Sequence, residues 1–471
     1  MKTNDSFVMH VNADYPEHVD FVFKLAVEYR MKFKRDVVID VSGYRKYGHN
    51  EQDAPKFTQP LVYDKVAEKI PMWKMYTKQL VDEGSFTQEE IDAKYQKCMD
   101  NLEIAFSAAK TQNFDAAQWD SATWKSVLKI SEDNPEFDPK NPVTAISEKD
   151  FKAVGRLINS LPETKDFHPI INKVYDLRLK SIETGEGVDW ATAEALAFST
   201  LLQEGFGVRL SGEDVRRGTF SHRHAVILDQ NDFSSYTPIL SSIDKESQSK
   251  LQIYNSFLSE YGVVGFEYGY STGNPNFLTL WEAQFGDFAN VAQPTIDLYI
   301  AGGERKWGVK TGLVMLLPHG FDGQGPEHSS ARLERFLQMM DDDPFDDEFI
   351  KLDTATQAGL SNMNVCNITD PANYFHVLRR QLHMTGIRKP LIIMSPKKLL
   401  RLKDAKSPMS AFTENKRFRR LIPEVSEETL DAPDKIKQVI FCSGQVYFDL
   451  ADKRKHLGAK VVYHFNPSIL S

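Results

Sequence analysis

The sequence predicts an α/β protein built mainly of parallel sheets covered by helices, with first and last domains that read as incomplete. Three observations predict it. Short apolar runs, among them "TGLVMLLP" and "KPLIIMSP", alternate with segments of helical spacing. These runs are continuous rather than alternating, which suits strands buried on both faces. Polar segments flanked by glycine follow several of the runs, where ligands of α/β folds gather.

The elements follow in order. "VNADYPEHVDFVFKLAVEYR" opens with a turn, and Pro16 marks a helix start, with Val19, Val22, Phe23 and Ala26 at helical spacing. "RDVVIDVSGY" reads as a strand buried on both faces. Polar helices follow over residues 61 to 110, and residues 110 to 146, with the acidic, proline-rich "SEDNPEFDPKNPVT", read as a connector. A helical segment spans about 147 to 183. In "DWATAEALAFSTLLQEG", Asp189 is an N-cap candidate and Gly205 lies at the end. Residues 189 to 396 then carry the apolar runs "AVIL", "NFLTLWEA", "TGLVMLLP", "NMNVCNI" and "KPLIIMSP" between helices. A third unit begins near Lys397 and contains a strand-helix-strand pattern ending in "GAKVVYHF".

The totals narrow the function. A 471-residue chain that is 41% hydrophobic and 26% charged has ample material for packed cores. A net charge of -9 argues against a nucleic-acid binder. Cys98, Cys366 and Cys442 are too few and too scattered for a disulfide framework or a metal knuckle, which points to a reducing compartment. No apolar run reaches the ~20 residues of a membrane span. "MKTNDSFVMHVNADYP" has neither a secretory apolar region nor an Arg-rich presequence.

Four polar segments could carry chemistry. "YRKYGHNEQDAPKFTQP" sets Arg45, His49, Asn50 and Glu51 directly after a strand, and reads as a ligand loop or a plain polar loop. "SGEDVRRGTFSHRH" crowds Arg216, Arg217, His222, Arg223 and His224 together, for an anion, a subunit contact or a salt-bridged loop. It lacks a third ligand at metal spacing. "WEAQFGDFAN" offers Phe285 and Phe288 as a flat apolar face for a ring, or as core. "LLPHGFDGQGPEHSSARLERFLQMM" carries His319 and His328 in a glycine-rich loop. A helix is expected from Ser329 or Ser330, which would set His328 beside the helix dipole. Its His-Ser pair lacks the elbow of a serine hydrolase. Finally, "FLSEYGVVGFEYGYSTGNP" puts Glu260 at the start of an apolar helix that stops at Gly273, Asn274 and Pro275. It is either a helix-terminal acid or a buried proton donor.

Together with "HVNADYPEHV" and "YFHVLRRQL", these segments closely resemble the first, decarboxylating component of 2-oxoglutarate dehydrogenase, from His10 to about Val462. The resemblance implies a transketolase-like fold and thiamine diphosphate as cofactor, held through Mg²⁺. It implies residues 1-125 as the C-terminal part of the diphosphate-side domain and 126-188 as linker and helical connector. Residues 189-396 would be the pyrimidine-side domain and 397-471 the start of a C-terminal α/β domain. The implied reaction is decarboxylation of 2-oxoglutarate in the tricarboxylic acid cycle. The succinyl group passes to the lipoyl domain of dihydrolipoyl succinyltransferase, in a complex that also holds dihydrolipoyl dehydrogenase. A homodimer is implied, in the mitochondrial matrix of a eukaryote or the cytoplasm of a bacterium.

Residue by residue, Glu260 resembles the glutamate that protonates the aminopyrimidine, a task that apolar burial would assist. Phe285 or Phe288 resembles the aromatic packed on that ring. His49 and His328 resemble the substrate-binding histidines, with His222 and His224 lining the same region. The family's metal motif, a Gly-Asp turn with a later Asn, is not matched. "GDFAN" has the wrong spacing, so no metal ligand is expected in this chain. That departure, with the ending "NPSILS", suggests a truncated chain. The alternatives are a 2-oxoadipate dehydrogenase first component, which shares most of these segments, and an incomplete chain that acts only through subunit contacts.

Overall fold

The computed structural model describes residues 5–50, 52–113, 124–125, 127, 141–342, 346–352, 354–384, 386–424 and 438–457, and the backbone of 462–465 and 468–470. Glu51, most of the expected connector at 110–146 and parts of "NPSILS" lie outside the described residues. The chain divides into two compact units, Met1–Asp115 and Ala116–Ser471.

In the first unit, β1 (Phe7–Asn12) and β2 (Val37–Ser42) pair in parallel, with Phe7 opposite Val37, and α1 (Pro16–Phe33) crosses between them. Pro16 fills the first helical turn, where its missing N–H costs nothing. Three helices follow: α2 (Pro60–Glu68), α3 (Met72–Asp82) and α4 (Gln88–Ala109). A reciprocal capping box between Thr87 and Glu90 opens α4. β2 is half-buried to exposed rather than buried on both faces, because this sheet has two strands and a single covering helix between them. β1 carries no continuous apolar signal and is an addition to the sequence reading.

The second unit begins with α5 (Glu148–Asn159), α6 (Pro169–Thr184) and α7 (Trp190–Gln203). The expected N-cap at Asp189 forms, accepting from the Thr192 N–H at 2.8 Å. Next come β3 (Gly207–Gly212), a small hairpin of β4 (Ile227–Leu228) and β5 (Ser235–Tyr236), and β6 (Leu251–Asn255). They are followed by α8 (Glu260–Gly273), β7 (Phe277–Glu282), β8 (Val314–Pro318), α9 (Leu333–Met339), β9 (Asn364–Asn367), α10 (Pro371–His383) and β10 (Leu391–Ser395). Last are β11 (Val439–Cys442), α11 (Val446–Leu457), β12 (Val462–Phe465) and β13 (Ser468–Leu470). The main sheet has the order β13-β9-β10-β8-β7-β3-β6, parallel except for β13.

Side chains alternate across this sheet, as strand geometry requires. Leu278, Leu280, Val314, Leu316, Leu391 and Ile393 pack with α7 and α10. Trp281, Met315, Leu317, Ile392 and Met394 join Val264 and Tyr268 of α8 in a second core. Both faces are therefore dry, and the strand ends are where loops meet solvent.

Three sequence expectations are corrected. "AVIL" supplies only the hairpin strand β4, not a strand of the main sheet. The helix expected from Ser329 or Ser330 starts at Leu333, because Arg332 is left-handed at φ 56° and interrupts the turn. His328 accordingly ends a short 3-10 turn, Pro326–His328, and faces no α-helix dipole. Among the described residues no helix is long and apolar enough to cross a membrane.

Candidate active site

The carboxyl ends of β3, β7, β8 and β10 lie side by side, and the polar segments leave from them. Gly212 ends β3 at φ 153°. A Cβ there would stand 2.2 Å from the Glu282 carbonyl oxygen, so β3 can pass the end of β7 only as glycine.

The loop after β3 is held by buried polar groups. Arg223 donates from Nε to Glu194 Oε1 at 2.5 Å and from Nη1 to Glu282 Oε1 at 2.9 Å and the Val215 carbonyl at 3.1 Å. Tyr374 Oη donates to Glu194 Oε2 at 2.8 Å. This network joins α7, β7, α10 and the loop. The loop's carbonyls are caught as well: His222 by Arg178 at 2.5 Å, His224 by Tyr175 at 2.7 Å and Phe220 by Arg401 at 2.5 Å. Ser221 and His224 are both left-handed at φ 51°, a backbone state that such clamps can maintain.

An aromatic cluster crosses these strand ends. The Phe285 ring lies 4.4 Å from the His328 ring and meets Phe220 edge-on at 5.6 Å. Phe288 stands edge-on to His328 at 5.7 Å and to Phe285 at 6.1 Å. Phe220 lies 6.2 Å from the His222 ring. Phe285 and Phe288 are half-buried, neither sealed in the core nor free in solvent. Asp287, between them, accepts from the Ser330 N–H at 3.1 Å through Oδ2, while its buried Oδ1 has no partner.

Electrostatics sort the histidines. Burial, aided by Arg223 and Arg178, holds His222 well below the ordinary imidazole value. Burial and Arg178 likewise lower His224, and burial and Lys397 lower His319. His319 Nδ1 accepts from the Ala331 N–H at 3.1 Å, which tethers the glycine-rich loop to itself. Beyond the cluster, Phe220, Ser221, Phe321, Gln324, Lys397 and Arg401 help line a groove of 880 Å³.

The comparisons with known proteins follow this layout. A family model for the dehydrogenase E1 component matches residues 6–118. One for the transketolase pyrimidine binding domain matches 186–403, and one for the 2-oxoglutarate dehydrogenase C-terminal region matches 406–463. The mitochondrial 2-oxoglutarate dehydrogenase of Saccharomyces cerevisiae is 48% identical over 463 residues, 98% of this chain and 45% of the yeast protein. The chain belongs to the 2-oxoglutarate dehydrogenase E1 family.

The Schizosaccharomyces pombe mitochondrial 2-oxoglutarate dehydrogenase is 45% identical over 96% of this chain and 45% of its own length. The Brucella anthropi E1 component is 45% identical over 97% of this chain and 44% of its own length. The chain thus spans somewhat under half the length of these E1 relatives. Membership brings the α/β, transketolase-like fold seen in the parallel main sheet. A split-gene transketolase structure, an inactive β4 tetramer, overlaps 59% of this chain and 69% of its own with a TM-score of 0.33 and 16% identity, too slight a likeness to weigh on the fold.

Within this E1-family chain, Phe285, Phe288, His328 and His222 come together in one cluster. His224 is on the same loop, its Nε2 3.0 Å from the Ser221 carbonyl rather than in that cluster. Glu260 begins α8, which packs against residues 286–292 through Val264. It is half-buried, with Phe257, Leu258 and Tyr261 beside it exposed, so the expected apolar burial of its carboxyl is not met within this chain. His49 belongs to the first unit, on the loop after β2, with Nδ1 3.5 Å from Arg45 Nη1. Sequence reading missed Phe220, Lys397 and the Glu194–Arg223–Glu282 clamp. The charged residues in otherwise apolar "AEALAF" and "TLWEA" were the available signal for the two glutamates.

The half-buried Phe285 and Phe288 rings stand edge-on to one another and leave ring surface open to a flat apolar partner. No group of three or more His, Cys, Asp or Glu side chains suited to a metal ion occurs among the described residues.

Proposed function

We propose that this chain carries the pyrimidine side of a 2-oxoglutarate-decarboxylating site. In this reading residues 1-125 belong to the diphosphate-side domain, 126-188 connect, 189-396 form the pyrimidine-side domain and 397-471 begin the C-terminal domain. The observation that carries it is the half-open Phe285–Phe288–His328 cluster at the carboxyl ends of a parallel sheet, within the segment matched by the pyrimidine binding domain. Thiamine diphosphate, when bound, supplies a nucleophilic carbon for the 2-oxo carbonyl and an electron sink for loss of carbon dioxide.

The chain's own residues do the rest. Glu260 holds a proton at a pyrimidine nitrogen, and Phe285 or Phe288 packs on that ring. His328 and His49 bind the 2-oxo acid. His222 and His224, kept neutral near pH 7 by burial and neighbouring arginines, offer hydrogen bonds rather than charge. The exposed shoulder of Phe257, Leu258 and Tyr261 is covered in a homodimer, which brings Glu260 the apolar surroundings it lacks in one copy. The succinyl group passes to the lipoyl domain of dihydrolipoyl succinyltransferase, with dihydrolipoyl dehydrogenase in the same complex, as a step of the tricarboxylic acid cycle. The compartment is the mitochondrial matrix in a eukaryote or the cytoplasm in a bacterium.

Calorimetry with thiamine diphosphate and Mg²⁺, followed by a ferricyanide-coupled assay on 2-oxoglutarate, tests the reading. Mg²⁺-dependent binding with turnover would support the reading, and Glu260→Ala should then lower turnover by at least about 100-fold while the fold survives. If the chain binds no cofactor, the proposal fails for this chain and a role through subunit contacts replaces it. Faster turnover of 2-oxoadipate would reassign the substrate. That preference rests on one methylene, worth about 1 to 3 kcal/mol.

A further inference from the structure

Of the buried cations of the second unit, Arg388 donates to the Pro275 and Leu382 carbonyls at 3.0 and 3.2 Å, and most others are paired with an acid. Arg223, Arg209, Arg379, Lys389 and Arg454 each meet a carboxylate. Lys397 does not. It is 6% exposed, and its Nζ donates to Gln324 Oε1 at 2.7 Å and to the His328 carbonyl at 2.7 Å. An ammonium has three donors, so one N–H remains uncommitted. Lys397 lines the 880 Å³ groove, and its Nζ lies 5.7 Å from the centroid of Phe285, the ring that His328 meets.

Burying an ammonium without a counter-ion is unfavourable, and desolvation lowers the Lys397 pKa accordingly. The nearest acids, Asp322 and Asp287, act on it only through space. Asp322 is itself engaged by Gln445 at 2.8 Å. A ligand carboxylate entering from the groove would supply the missing charge and accept the third hydrogen bond.

We propose that Lys397 binds the carboxylate of the substrate remote from the 2-oxo carbon, and so selects dicarboxylic over monocarboxylic 2-oxo acids. The inference rests on the 2-oxo acid reading given above. The remote end is the one that suits it. The near carboxylate leaves as neutral carbon dioxide, so a fixed cation on it would stabilise the ground state more than the transition state and oppose the reaction. The remote carboxylate keeps its charge throughout, and a cation can hold it without penalty. A purely structural Lys397 would instead buttress the His328 loop through its two protein bonds.

The test is calorimetric titration of the full chain with 2-oxoglutarate and with 2-oxobutyrate, which lacks the remote carboxylate. Wild type, Lys397→Met and Lys397→Arg are compared, each checked for folding by circular dichroism. Lys397→Met should weaken 2-oxoglutarate roughly 10- to 100-fold and leave 2-oxobutyrate within about twofold, with Lys397→Arg retaining part of the affinity. Equal loss for both ligands would reduce Lys397 to a buttress. No loss, or a wild type that does not prefer the dicarboxylate, overturns the proposal. The two readings fail separately. A chain that binds 2-oxoglutarate through Lys397 but releases no carbon dioxide keeps the site and loses the decarboxylase reading. Turnover with a KM unchanged by Lys397→Met does the reverse.

Discussion

The clamp around Arg223 and the groove around Lys397 are both built at the carboxyl ends of one sheet, and both bury a cation. They differ in what satisfies it. Arg223 meets two carboxylates and a carbonyl, so its fork is saturated by the protein. Lys397 meets an amide oxygen and a carbonyl, so its charge is uncompensated. A saturated guanidinium fixes a loop and is closed to ligands. An ammonium with a spare donor leaves the loop tethered and the charge available. Burial alone therefore does not separate a structural ion from a binding one, whereas the inventory of its partners does.

The sharpest way to break this comparison is Arg223→Met. It strands Glu194 and Glu282 as buried carboxylates, and should cost about 3 to 5 kcal/mol, read as a large fall in Tm. An unchanged Tm would mean that the clamp carries no structural load.

A smaller effect comes from a buried group that stays neutral. His376 Nδ1 pairs with Thr144 Oγ1 at 2.8 Å, and its Nε2 with the Ala411 carbonyl at 2.8 Å. Burial pushes its pKa down to about 4. The unfolded chain, titrating near 6.5, binds this proton more tightly than the folded one. Stability from this group is thus complete above about pH 6.5 and is lost as pH falls towards about 4, by on the order of 3 kcal/mol. Urea unfolding at pH 7 and pH 4.5 should show a steeper loss in wild type than in His376→Gln. Equal slopes would contradict the assignment.

The smallest effect is expected at the surface. Arg156 and Glu183 form a bidentate pair at 2.6 and 2.8 Å, but with side chains 53% and 45% exposed. Arg156→Ala should change stability by no more than about 1 kcal/mol, and less in high salt. A loss matching that of Arg223→Met would erase the distinction between buried and exposed arginines.

How much of this was legible varies along the chain. The runs "NFLTLWEA", "TGLVMLLP", "NMNVCNI" and "KPLIIMSP" announce β7 to β10, because strands buried on both faces must be apolar throughout. β3 carries Arg209 and Ser211 in its centre and was missed. Its arginine is tolerated because Glu267 on α8 meets it bidentately at 2.7 and 2.8 Å and Tyr270 lies 4.6 Å away, partners about sixty positions along the chain. In the site, His222, Phe285, Phe288 and His328 were marked by their glycine-flanked segments. Phe220 and Lys397 were not, since a phenylalanine in a polar loop and a lysine after a strand have no pattern of their own. Glu260 was legible as a helix start, and the exposure of its neighbours Phe257, Leu258 and Tyr261 was not.

The sequence by itself determined the alternation of strands and helices, the polar segments at strand ends and the resemblance to one family. All of these are written in neighbours a few residues apart. Only the tertiary structure decided which charges are closed and which are open. Arg223 finds its carboxylates 29 and 59 residues away, while Lys397 finds none among the described residues, and desolvation by distant parts of the chain sets the state of His222 and His376. Pairing and burial depend on what folding brings within a few ångströms, and local pattern carries no record of that.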